Sequence, residues 1–165
     1  MNNYTSLTDL ELVNFVVDHK DTDAFGVIYD RYASKVYNKC IQIVHAKDVV
    51  EDLTHDIFLK IYINLKKFKQ EAKLSTWIYS ITYNFCIDYL RRNKKNNNDI
   101  DLETISEESS SENDDILLLK EECLKDILQE ISAEERMILL MKYQDEMSLK
   151  EIMNVLSIKE SAVKM

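Results

Sequence analysis

Residues 60–95 gather the side chains best suited to chemistry with a polyanion. Nine cations, Lys60, Lys66, Lys67, Lys69, Lys73, Arg91, Arg92, Lys94 and Lys95, stand there against only Glu71 and Asp88. Trp77, Tyr79, Tyr83, Phe85 and Tyr89 run among them. Ammonium and guanidinium groups neutralise phosphates and release counterions. Aromatic faces stack on unpaired bases, at about 1–3 kcal/mol per base. Together they predict a positive groove for single-stranded nucleic acid, with some of these aromatics as stacking faces. The plainer reading is a helix buried on most sides.

A second set has another chemistry. Asp52, His55, Asp56, Leu59, Tyr62 and Ile63 recur at three- and four-residue spacing and so share one helical face. Glu51, Asp52, His55 and Asp56 place carboxylates and an imidazole within one turn, as a metal site would. Metal sites in helix bundles draw matching ligands from facing helices, and none is evident, so no metal or other cofactor is expected. An apolar strip rimmed by acids instead marks a protein partner. The alternative is that the first or second helix covers it.

These residues need helices to position them. The 165-residue chain has no proline and one glycine, Gly26, too few for the tight turns of sheets and sandwiches. Thr8 and Glu11 form a capping-box pair opening a helix to about His19. A second helix is expected from about Asp23 to Val44, and a third from about Asp48 to Leu65. A polar loop runs from Lys66 to Leu74. A fourth helix runs from Ser75, as N-cap, to Asn93. Val50, Leu53, Ile57, Phe58, Ile61 and Leu65 make the core stripe of the third helix, and Trp77 is assigned to the core.

The net charge of −9 is unevenly spread. Residues 96–115 carry eight acids and no base. With little to bury, they are expected to form a disordered acidic linker. Beyond it, Ile116–Ile131 reads as an amphipathic helix. Ser132 with Glu135 and Ser148 with Glu151 open two more, and a last helix begins near Glu160. The fold class is all-α: two small helical domains joined by a flexible acidic linker. No apolar run reaches the roughly 20 residues of a membrane span, so no membrane insertion and a cytoplasmic location are expected. Cys40, Cys86 and Cys123 are odd in number and far apart, and read as small buried hydrophobes. No Gly-rich phosphate loop, paired metal motif or nucleophile–base set suggests an enzyme, so no catalytic residue is assigned.

Three strings, DTDAFGVIYDRYASKVYNKC, EDLTHDIFLKIYINLKKF and LSTWIYSITYNFCIDYLRR, resemble the region-2 domain of extracytoplasmic-function (ECF) sigma factors. LKDILQEISAEERMILLMKYQDEMSLKEIMNVLSIKESAVK resembles the start of their region 4. The resemblance implies region 2 over 1–95, the linker over 96–115 and region 4 over 116–165. It implies core RNA polymerase (the β′ clamp coiled coil and the β flap) and promoter DNA as partners, and an anti-sigma factor as a further one. Asp52, His55, Asp56, Leu59 and Tyr62 match the polymerase-binding surface. Lys60, Lys66, Lys67, Lys69, Lys73, Tyr79, Tyr83, Arg91 and Arg92 match the part that melts the −10 element and holds a flipped base. Lys159, Ser161 and Lys164 lie on the helix that would read the −35 element in the major groove. The linker would mimic nucleic acid in a basic polymerase channel.

The chain departs from the family where Met153, Ser157, Lys159 and Ala162 replace a small residue, a glycine, a serine cap and a threonine. Its last helix spans about six residues, too few to stand alone, so the native chain is expected to extend beyond Met165. Two competing readings are a stand-alone helix-turn-helix regulator and a helical adaptor that binds protein only.

Overall fold

The computed structural model describes residues 4–96 and 131–156. The acidic linker, the helix expected over Ile116–Ile131 and the last helix near Glu160 lie outside the described residues. The chain falls into two compact units, residues 1–99 and 100–165. All regular structure among the described residues is helical.

In the first unit α1 spans Asp9–His19, α2 Thr22–Val44, α3 Lys47–Asn64 and α4 Leu74–Asn96. Polar caps set most of these boundaries. Thr8 caps α1 in a reciprocal box: its Oγ1 accepts from the Glu11 N–H, and Glu11 Oε2 accepts from the Thr8 N–H at 2.7 Å. Asp21 caps α2, its Oδ1 accepting from the N–H of Asp23 at 2.9 Å and of Ala24 at 3.1 Å. The helix therefore begins one residue before the expected Asp23. Ser75 is not the cap of α4. That helix already begins at Leu74, and the Trp77 N–H bonds to the Lys73 carbonyl, leaving Ser75 inside the first turn.

α2 packs against α1, α3 and α4. Its Ala24, Ile28, Val36, Cys40 and Ile43 are buried, beneath Leu12 and Val16 of α1, Val50, Ile57 and Ile61 of α3, and Ile78 and Cys86 of α4. Each fully buried branched side chain contributes roughly 1.5–3 kcal/mol. A polar tie fixes the N-terminus to this core. Arg31 of α2 donates to Asp9 at 2.8 Å and to the carbonyls of Thr5 and Leu7 at 3.0 and 2.6 Å. Tyr32 donates to the other Asp9 oxygen, and its burial beside that carboxylate raises the phenol above its ordinary range.

In the second unit α5 spans Ala133–Leu139, a π turn follows over Leu140–Gln144, and α6 spans Leu149–Leu156. Ser132 with Glu135 and Ser148 with Glu151 form the two expected capping boxes. Met137, Met141, Met147, Ile152 and Val155 are buried. The helix expected from Ser132 to about Tyr143 is thus α-helical for two turns and then widens.

Lys20 terminates α1 in the left-handed conformation, φ 54°. Glycine adopts that conformation freely. Lys20→Gly is expected to stabilise the chain by about 0.5–1 kcal/mol in urea unfolding, because relief of the left-handed strain outweighs the added chain entropy. The Asp21 carboxyl is held below its ordinary range, chiefly by the Tyr4 hydroxyl at 2.5 Å and also by the Ala24 N–H. A depressed carboxyl stabilises the folded state above its unfolded value and loses that contribution as pH falls through its folded value. Tyr4→Phe should therefore be less stable than the parent at neutral pH, with the gap closing as pH drops below about 4 in thermal melts.

Candidate nucleic-acid and partner interface

The outward face of α3 is bare. Asp52, His55 and Asp56 are exposed. Leu59 is 61% exposed, Ile63 67% and Tyr62 39%. Tyr62 leans on Phe25 of α2, ring centroids 4.9 Å apart, but neither α1 nor α2 covers the strip. The opposite face, with Val50, Leu53, Ile57, Phe58 and Ile61, is buried and holds the helix in place.

The segment after α3 is more ordered than a polar loop. Leu65–Lys67 form a 3₁₀ turn, and buried Phe68 rests on Trp77 at 5.5 Å between ring centroids. Trp77 is only half-buried. With Phe68 pinned, Lys66, Lys67, Lys69 and Lys73 all remain exposed. On a helix of 100° per residue, Trp77, Ser80, Asn84 and Arg91 share one face. The loop lysines therefore lie at one end of that face, while exposed Arg91 and Arg92 lie near the other.

The tyrosines of α4 occupy a different place from the one expected. Tyr83 is 0% exposed, so it has no free face for a base; it belongs to the core. Tyr79 is half-buried, with the edge of Tyr32 at 6.4 Å and the Lys39 ammonium 4.3 Å from its ring centroid. Both rings meet Lys39 of α2, whose ammonium is also 5.7 Å from Tyr83. Lys39 is 4% exposed, which no periodicity argument would have found in a lysine. What α4 offers outward is the seam of half-buried Ser80 and Ile81 with exposed Asn84, Asp88 and Arg91. The sequence places Asn84 in this polar seam without a role; its exposure within an aromatic run is the signal for one.

Two residue sets read separately in the sequence share one cleft. A cavity of about 290 Å³ between α3 and α4 is lined by Asp52, Asp56 and Lys60 on one side and Phe85, Asp88, Tyr89 and Arg92 on the other. The Lys60 ammonium lies 5.2 Å from the Phe85 ring centroid. The acid-rimmed strip and the basic face are therefore adjacent. Lys159, Ser161 and Lys164 lie outside the described residues.

A family model described as Sigma-70 region 2 matches residues 28–96, from within α2 to the end of α4. A second, Sigma-70 region 4, matches residues 121–165. The ECF RNA polymerase sigma factor SigW of Bacillus subtilis is 31% identical over 156 residues, covering 87% of this chain and 83% of that protein. The chain belongs to the ECF sigma factors. Two solved structures share its fold. RpoE of Bartonella quintana, in complex with the anti-sigma factor NepR, gives a TM-score of 0.67 at 17% identity over 85% of this chain and 87% of that one. CnrH, in complex with the cytosolic domain of CnrY, gives 0.62 at 18% identity over 94% and 87%. This sigma factor is thus a promoter-recognising subunit built from two helical domains, and the stand-alone regulator is not favoured. No helix among the described residues is long and apolar enough to cross a membrane.

Replacing Arg91 or Lys69 by Gln should each lower the slope of log affinity against log salt for a single-stranded −10 oligonucleotide, measured with the sigma factor bound to polymerase, by about 0.7. Tyr83→Phe should leave that affinity unchanged, because the ring it alters faces the core.

Proposed function

We propose that the sigma factor docks on the β′ clamp coiled coil of core RNA polymerase through Asp52, His55, Asp56, Leu59 and Tyr62. One observation carries this reading: Leu59 and Ile63 stay exposed, rimmed by Asp52 and Asp56, on a helix whose other face already fills the core. An apolar centre with an acidic rim suits a basic, partly apolar partner helix. The adjoining face of α4 then holds the non-template strand of the −10 element. Lys60, Lys66, Lys67, Lys69, Lys73, Arg91 and Arg92 neutralise its phosphates. Asn84, with a donor and an acceptor on one amide, meets the edge of an unstacked adenine. Tyr79 contributes only the part of its ring that α2 leaves uncovered.

Region 2 occupies residues 1–95, an acidic linker residues 96–115, and region 4 residues 116–165. Region 4 engages the β flap and reads the −35 element through Lys159, Ser161 and Lys164. The sigma factor supplies recognition and strand capture and carries no catalytic residue of its own; it works in the cytoplasm, where polymerase resides. That RpoE and CnrH are each solved with a bound regulator supports an anti-sigma factor as a further partner.

Leu59→Asp and Asp56→Lys test the docking surface. Both side chains are exposed, so helical content and melting temperature should stay near those of the parent. Affinity for core polymerase should fall about tenfold or more, equivalent to ~1.4 kcal/mol, in co-migration or fluorescence titration. Unchanged affinity in both variants would remove α3 as the docking helix.

A further inference from the structure

The sequence separates Cys40 from Cys86 by 46 residues, and the fold brings them together. Cys40 lies on α2 and Cys86 on α4, both fully buried, with their sulfurs 3.7 Å apart and the Cys86 thiol donating to Cys40. The two sulfurs are not equivalent. The thiol of Cys86 lowers the pKa of Cys40 against the effect of burial, and the Thr54 hydroxyl of α3 adds to that lowering. Cys86, which gives its proton to this contact and is itself buried, is pushed up. Cys40, which accepts this hydrogen bond, is the sulfur placed to open the reaction, and Cys86 is the partner placed to meet it.

A path leads toward them. A groove of about 380 Å³ between α2 and α3 is lined by Tyr29, Ala33, Tyr37, Glu51, Thr54 and His55, among others. Its buried Thr54 also interacts with Cys40. A small oxidant entering this groove stops one side chain short of the Cys40 sulfur.

We propose that Cys40 and Cys86 are a peroxide-sensitive modification site that closes to a reversible disulfide linking α2 to α4. The Cys40 thiolate attacks one peroxide oxygen; the O–O bond breaks, hydroxide leaves and a sulfenic acid forms. The Cys86 sulfur then attacks the Cys40 sulfur; the S–O bond breaks, and the second hydroxide departs as water with the Cys86 proton. The two thiol protons and two hydroxides become two waters, the sulfurs together lose two electrons, and the peroxide gains them. The sulfurs must approach from 3.7 Å to about 2.05 Å, so α4 shifts or both side chains turn as the bond closes. This site stands independently of the docking reading.

The test uses the full chain carrying Cys123→Ser, treated with hydrogen peroxide under native conditions. Intact mass should fall by two hydrogens, and digestion should yield one cross-linked Cys40–Cys86 peptide. Both thiols should become untitratable in denaturant until dithiothreitol restores them. The melting temperature should rise on oxidation and return on reduction, because the bond constrains the unfolded chain. Cys86→Ala should stop at a Cys40 sulfenic acid that dimedone captures, while Cys40→Ala should leave Cys86 unoxidised. Helical circular dichroism checks the fold of each variant, and the measurement on the intact pair does not depend on them. Two thiols still titratable after peroxide, or oxygen added to either sulfur without a cross-link, would overturn the proposal.

Discussion

The first unit depends on one constraint: α2 packs against α1, α3 and α4 at once, so its apolar positions are covered from several sides while Gly26, Asp30, Ser34 and Asn38 stay exposed. Ile28, Val36 and Cys40 are all fully buried. This determines what α1, α3 and α4 must give up. Each lends one apolar face to α2, and α4 lends its aromatic side as well, so Tyr83 goes inward and Tyr79 lies against Tyr32 and Lys39. The surface left for function is what α2 does not claim: the outer strip of α3 and the polar seam of α4. The proposed docking and strand-capture surfaces are the faces that packing leaves over, and for that reason they fall on adjoining helices.

Adjacency also resolves the acidic net charge of a protein that recognises promoters. A net charge of −9 repels a polyanion at long range. Within about a Debye length, roughly 8–10 Å, the local pattern decides instead. Loop lysines 66, 67, 69 and 73 and Arg91 are all exposed, while Lys60 and Arg92 line the α3–α4 cleft together with Asp52, Asp56 and Asp88. Both signs of charge therefore meet within one cleft, and the local surplus of cations lies in the loop and at the end of α4.

Much of this was legible in the sequence, for local reasons. The all-α class followed from missing proline and scarce glycine, and the boxes at Thr8, Ser132 and Ser148 were readable because a capping box is a contact between residues three apart. The exposed strip on α3 was readable because Leu59 and Ile63 fall opposite a stripe that already accounts for the core. What escaped were facts set by neighbours distant in sequence. Helix periodicity identifies two apolar arcs on α4 but cannot say which of them a second helix covers, so it does not separate the buried Tyr83 from an aromatic open to a base. The cap expected at Ser75 failed because the helix could start a residue earlier, with Lys73 supplying the carbonyl. Lys39 and the Cys40–Cys86 contact depend on α2 meeting α4, a pairing that no local pattern encodes.

Lys39 is a charged residue inside this core. A lysine 4% exposed would ordinarily cost several kcal/mol in lost hydration. Its ammonium instead lies over the Tyr79 and Tyr83 rings, each such contact giving on the order of 2 kcal/mol once water is excluded. An alkyl side chain would fill the same space without that balance. The Lys39 contacts thus join α2 to the inward side of α4, where Ile78, Tyr83 and Cys86 are buried, and leave Ser80, Asn84 and Arg91 on the outward seam.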